Sequence, residues 1–179
     1  MLDDNDFALA SAVDTSVVVL EELSLHPQPE VRHAVARNPN TPTEVLLKLG
    51  KEFPDAITAN PIFNLLLLEN PESHFVRLSL ARSTTTSESA IAQLSKIEDE
   101  EILCAVAGNP KTPLHILERF VVEGPPLFFD YETADESALD GLFTAIAQNP
   151  NTSELLLLQL DESGISNIEM AIAENPNAP

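Results

Sequence analysis

The chain has 179 residues, 44% of them hydrophobic, and a formal net charge of −20 from 29 acids against 9 bases. That is length for one domain with a real core, and too apolar for a disordered acidic tail. The charge disfavours phosphate backbones and anionic membranes, both of which call for clustered Lys and Arg. The single cysteine, Cys104, excludes an internal disulfide and a four-cysteine cluster.

From the N-terminus, Met1 to Asp6 carries three aspartates where a secretory signal would carry positive charge. With no apolar run long enough for a membrane span, the expectation is a soluble, cytoplasmic protein. Residues 1–25 read as a degenerate first repeat, recognisable by Thr15-Ser16 followed by Val19-Leu20 and Leu23.

A phrase then recurs: Ala-Val-Ala-Arg-Asn-Pro at 34–39, Ala-Ile-Thr-Ala-Asn-Pro at 56–61, Ala-Val-Ala-Gly-Asn-Pro at 105–110, Ala-Ile-Ala-Gln-Asn-Pro at 145–150 and Ala-Ile-Ala-Glu-Asn-Pro at 171–176. Ser79 to Thr84 is a weaker copy. Self-similarity at this period predicts stacked helical repeats. Each copy has an apolar anchor (Val31, Phe53, Val76, Ile102, Leu142, Ile168), then a small residue three positions on and an aliphatic at the fourth. That spacing is one stripe of a short amphipathic helix, here helix A. The small residues Ala34, Ala56, Ser79, Ala105, Ala145 and Ala171 are expected where a neighbouring backbone comes close, so that a larger side chain would overpack the stack.

Helix A stops at Asn38, Asn60, Asn109, Asn149 or Asn175, all followed by proline, as in Asn38-Pro39. A residue before proline is pushed out of the helical region, so the Asn-Pro step redirects the chain. Its amide is expected to bond backbone groups freed at helix ends, in an adjacent repeat. A second helix, B, follows. Thr41-Pro42-Thr43-Glu44 reads as a capping box with Thr41 as N-cap, and Thr112-Pro113 repeats its first half. The repeats fall near 31–50, 53–71, 76–97, 102–120 and 142–163, with a half-repeat at 168–179, in one domain spanning 1–179. Neither helix is long enough to stand alone, so stability must come from stacking.

The run Val31-Arg32-x-Ala34-Val35-Ala36-x-Asn38-Pro39-x-Thr41-Pro42, continued by Leu46 and Leu49, resembles the leucine-rich repeat variant (LRV) family; Ile102 to Phe120 and Leu142 to Leu160 are similar. The resemblance implies an all-α, right-handed α-solenoid (an α/α superhelix) of LRV/HEAT-like repeats, with some second helices in 3₁₀ form. It implies a binding scaffold and no catalytic residues. Some family members carry a cysteine-clustered iron–sulfur module, which nothing here matches.

Between the 102 and 142 anchors lies an insertion, residues 121–141, in which Phe128, Phe129 and Tyr131 stand with the acids Asp130 and Glu132. Long loops in repeat arrays are often binding elements, and aromatics ringed by acids suit a basic partner. These aromatics either fold back over a groove left by uneven stacking or form a partner contact. The half-repeat at the C-terminus offers an apolar stripe for self-association.

His26, His33, His74 and His115 show no metal-ligand spacing, and no Gly-rich phosphate loop occurs. Adjacent acids such as Asp99-Glu100 are expected by chance at this composition. No catalytic residue, metal or cofactor is assigned. The expected function is a non-catalytic protein–protein interaction scaffold; the alternative is a regulatory or accessory module of a larger enzyme or nucleic-acid-handling complex.

Overall fold

In the computed structural model, residues 4–123, 136–162 and 164–179 are described, with backbone alone at Asp4 and 136–138. Every regular element among them is an α-helix, and none is long and apolar enough to cross a membrane. The second helices are α, not 3₁₀. The chain divides into two compact units, Met1–Ser83 and Thr84–Pro179. The division falls at the weak copy, where Ser83-Thr84 replaces Asn-Pro.

The first unit contains α1 (Asp4–Ser11), α2 (Val17–Leu23), α3 (Pro29–Arg37), α4 (Thr43–Leu49), α5 (Pro54–Thr58), α6 (Pro61–Glu69) and α7 (His74–Arg82). Helices α1, α3, α5 and α7 are A helices, each packed on the next, and α2, α4 and α6 fill the B layer. The core between the layers takes Val31 and Val35 from α3, Leu46 and Leu49 from α4, Ile57 from α5 and Phe63 from α6. Each such side chain removed from water contributes about 1.5–3 kcal/mol.

The second unit contains α8 (Glu88–Leu94), α9 (Glu100–Gly108), α10 (Leu114–Val122), α11 (Glu136–Gln148), α12 (Glu154–Asp161) and α13 (Ser166–Glu174). Here α9 packs on α11 and α11 on α13 as the A layer. Ile102, Val106, Ile116, Leu117, Phe120, Leu142, Ile146, Leu157 and Ile168 are buried between it and the B helices. Helix α11 starts at Glu136, well ahead of its anchor Leu142, so the last part of the expected insertion is helical.

The asparagines join successive A helices by a repeated hydrogen-bond device. Asn60 Nδ2 donates to Ala36 O at 2.8 Å and to Asn38 O at 2.9 Å. In the same register Asn149 donates to Ala107 O and Asn109 O, and Asn175 to Ala147 O and Asn149 O. Each Oδ1 accepts the N–H two residues on, at Asn40, Ile62, Lys111, Asn151 and Asn177. The asparagines are buried, with extended backbone at Asn38, Asn60, Asn109 and Asn175, as proline in the next position requires. A second rung runs alongside: Asn151 Nδ2 bonds Pro110 O and Thr112 O, and Asn177 Nδ2 bonds Pro150 O and Thr152 O.

The register reveals a first repeat that is complete. Asn38 Nδ2 donates to Ala10 O and Ala12 O, both at 2.8 Å, so α1 is an A helix with Ala12 where the asparagine stands elsewhere. Thr15 Oγ1 bonds Leu9 O as Thr41 Oγ1 bonds Val35 O, each six residues back.

These threonine bonds correct the capping-box reading. Thr41, Thr112 and Thr152 are buried and donate to Val35 O, Val106 O and Ile146 O, closing the turn after helix A. The residue before α4 is Pro42, without a side-chain cap. Side-chain caps come instead from Asn60, Ser73, Ser87, Asp99 and Ser153. Asn60 thus serves both ladder and cap, because α6 begins directly at Pro61.

Small residues occur where A helices meet. A Cβ added to Gly108 would lie 4.0 Å from the Ala145 methyl, and one on Gly141 would lie 3.9 Å from Cys104 Sγ. Ala34, Ala56 and Ala171 are buried as expected, whereas Ala105 and Ala145 are half-buried.

Two outcomes follow for stability. Asn60→Ala removes two donated bonds and strands buried acceptors, so urea unfolding should show a loss of about 2–4 kcal/mol. Asn60→Asp should be worse at neutral pH, since a carboxylate faces the same carbonyls. An aspartate variant as stable as the parent would show that the amide donates nothing. Ala56→Leu should cost about 1–3 kcal/mol by overpacking, and Ala105→Leu less because its site opens to solvent; the two melting temperatures decide the order.

Candidate interaction surface

The residues expected to contact a partner in the insertion, Phe128, Phe129, Asp130, Tyr131 and Glu132, lie outside the described residues. The surface that can be built from described side chains is the outer face of the A helices. The position before each small residue carries His33, Asp55, Leu78, Cys104, Thr144 and Met170. His33 and Met170 are exposed, Asp55, Cys104 and Thr144 are half-buried, and Leu78 belongs to the core.

In the first unit a groove runs between α1 and α3, with Ala34 at its floor and Phe7, His33, Arg37 and Val13 around it. Phe7 is 45% exposed and Val13 70%, so the groove has apolar walls open to water. The His33 ring meets Phe53 edge-on, with ring centres 5.4 Å apart, which fixes its orientation over α5. Beside it, Arg32 is held by Glu52 through paired hydrogen bonds and donates to His26 O at 2.6 Å and Pro27 O at 3.0 Å. The Arg32 guanidinium holds the Glu52 carboxyl below its ordinary range.

In the second unit a groove runs between α11 and α13. It is lined by Asp140, Gly141, Thr144, Ala145 and Gln148 of α11 and by Asn167, Met170, Ala171 and Glu174 of α13. Nothing in the repeat pattern singled it out in advance. The Cβ directions at Gly141 and Ala145 point to α9, toward Cys104 Sγ and Gly108, so their small size serves the α9–α11 seam.

Cys104 is placed for packing. Burial, reinforced by the Glu100 and Glu101 carboxylates, pushes its thiol from 9.0 up to about 11. Among the described residues, no three His, Cys, Asp or Glu side chains gather where they could hold a metal ion. His26 faces the Asp6 carboxylate at 3.4 Å, a link from the α2–α3 turn to α1. Of the few cations, Arg77 pairs with Glu72 and Arg119 donates to Ser95 O and Oγ at 3.0 and 2.9 Å.

Residues 29–50 match the family model described as leucine rich repeat variant, so the resemblance stated from the sequence holds at the repeat formed by α3 and α4. No curated protein and no solved structure matches the chain.

The cysteine yields a pH prediction. A thiol that ionises near 9.0 unfolded and near 11 folded binds its proton more tightly in the native state. Stability from this group is therefore present below pH 9.0 and lost as pH rises through about 11. Alkylation of the native protein at pH 8 should run far slower than that of the urea-unfolded chain; equal rates would contradict the shift.

Proposed function

We propose that this chain, which carries an LRV repeat at residues 29–50, is a non-catalytic protein-interaction scaffold that binds through the outer face of its A helices. One observation carries the reading. The ladder and core repeat in a fixed register, while the position before each small residue changes chemistry from copy to copy and is exposed at His33 and Met170. A constant frame with a variable face is how stacked repeats present a binding surface.

The net charge of −20 favours a basic protein partner over nucleic acid. The internal engagement of Arg32, Arg77 and Arg119 supports the same choice. The insertion, with its three aromatics Phe128, Phe129 and Tyr131, adds a second contact in this proposal.

Affinity capture with the whole chain tests the reading. A stoichiometric protein partner is expected. The pair Phe7→Lys with His33→Lys, which puts positive charge into the α1–α3 groove, should lower recovery of a basic partner about ten-fold or more. Glu44→Gln on α4 should leave recovery unchanged. Equal recovery by both variants, or no partner at all, would refute binding through the A-helix face.

A further inference from the structure

We propose that the groove between α11 and α13 receives an extended basic segment of a protein partner, in which two bases four residues apart flank an apolar side chain. The inference rests on the scaffold reading and supplies the partner's chemistry.

The first argument is charge. Helices α9, α11 and α13 carry Glu100, Glu101, Glu136, Asp140, Glu169 and Glu174 and no Lys or Arg. The bases of this compact unit lie elsewhere: Lys96 follows α8, Lys111 sits in the turn after α9, and Arg119 on α10 is tied to Ser95. A groove walled at Asp140 and Glu174 on a layer without cations is complementary to a basic ligand and repels an acidic one.

The second argument is length. The Asn175 bonds to Ala147 O and Asn149 O set the C-terminal ends of α11 and α13 level. Since the two helices pack along one another in the same direction, Glu174 stands beside Gln148, eight positions from Asp140 along α11. At 1.5 Å per position that is about 12 Å. An extended strand rising about 3.3 Å per residue covers it in four residues, and its first, third and fifth side chains point to one side.

The third argument is what lies between the carboxylates. Met170, 62% exposed, lines the groove beside the buried Ala171. A thioether is soft and adaptable, suited to an aliphatic side chain entering a shallow slot. Thr144, Gln148 and Asn167 offer hydroxyl and amide groups to the backbone of the strand. The central apolar residue therefore seats against Met170, with a base at each end.

The test uses the full chain and three fluorescent peptides of seven residues. One has Arg at its second and sixth positions and Leu at the fourth. The second has the same composition with the two Arg adjacent, and the third has Glu for Arg. Polarisation should show binding of the first, weakening as salt rises from about 50 to about 300 mM. Asp140→Asn and Glu174→Gln should each weaken it about two- to five-fold. Met170→Ala should also weaken it, while Glu118→Gln on α10 should not. Circular dichroism identical to the parent's establishes that each variant is folded.

Equal binding of the adjacent-Arg peptide, retention of affinity in the Asp140→Asn, Glu174→Gln double variant, or no binding of the first peptide overturns the proposal. In each case a partner whose capture depends on Phe7 and His33 leaves the scaffold reading standing.

Discussion

One buried amide, repeated along the chain, is the constraint on which the architecture depends. A carboxamide that has left water must satisfy two donors and an acceptor. At Asn60 and Asn149 all are met: Nδ2 bonds two carbonyls of the preceding repeat, and Oδ1 closes a turn on its own. The carbonyls are those that helix ends leave without intrahelical partners. Asn38, Asn60, Asn149 and Asn175 therefore each terminate their own helix and complete the termination of the one before. Proline in the next position holds the extended backbone that aims the amide. Ser83 keeps that backbone without proline, but its shorter side chain turns to Asp55 Oδ1 at 2.7 Å and Thr58 Oγ1 at 3.0 Å. There a local side-chain cluster stands in for the rung.

With the helix ends coupled in this way, stability resides on the inward stripe and at the C-terminal ends of the A helices. The position before each small residue is less constrained and takes different tasks from copy to copy. His33 leans on Phe53, Cys104 fills a seam, and Met170 stands in water, all at the same place in the repeat. In the second unit this freedom left an A layer with acids only. Those carboxylates cost little while solvated, and they lend that layer a uniform field.

The phrase Ala-x-Ala-x-Asn-Pro was enough to find the A helices, the buried small residues and the reach of each asparagine into a neighbouring repeat. What it concealed has physical causes. Helix α1 was missed because Ala12 and Val13 stand where Asn and Pro stand elsewhere, and only the bonds from Asn38 to Ala10 O and Ala12 O reveal its place in the register. Thr41 looked like a cap because Thr-Pro-x-Glu satisfies the pattern, but its hydroxyl finds a nearer acceptor in Val35 O at 2.6 Å. Ala145 matches Ala34 in sequence and differs in burial, because Gly108 opposite it has no side chain to cover it. The α11–α13 groove was illegible for another reason: the repeat pattern marks core anchors and helix ends, whereas this groove is lined by positions that differ from copy to copy, such as Thr144, Gln148, Asn167 and Met170.

The ladder also accounts for the uneven spacing of the copies. Asn60 reaches back 22 residues to Asn38, Asn175 reaches 26 to Asn149, and Asn149 reaches 40 to Asn109, with the same two acceptor positions each time. The bonds involve only the ends of A helices and are indifferent to how much chain intervenes. Lengthening a loop from 22 to 40 residues adds about 0.6 kcal/mol of closure entropy at most. Two buried hydrogen bonds and the packing of α9 on α11 offset that easily. An insertion placed after a B helix is thus nearly neutral for the stack, which is where this chain carries residues 121–141.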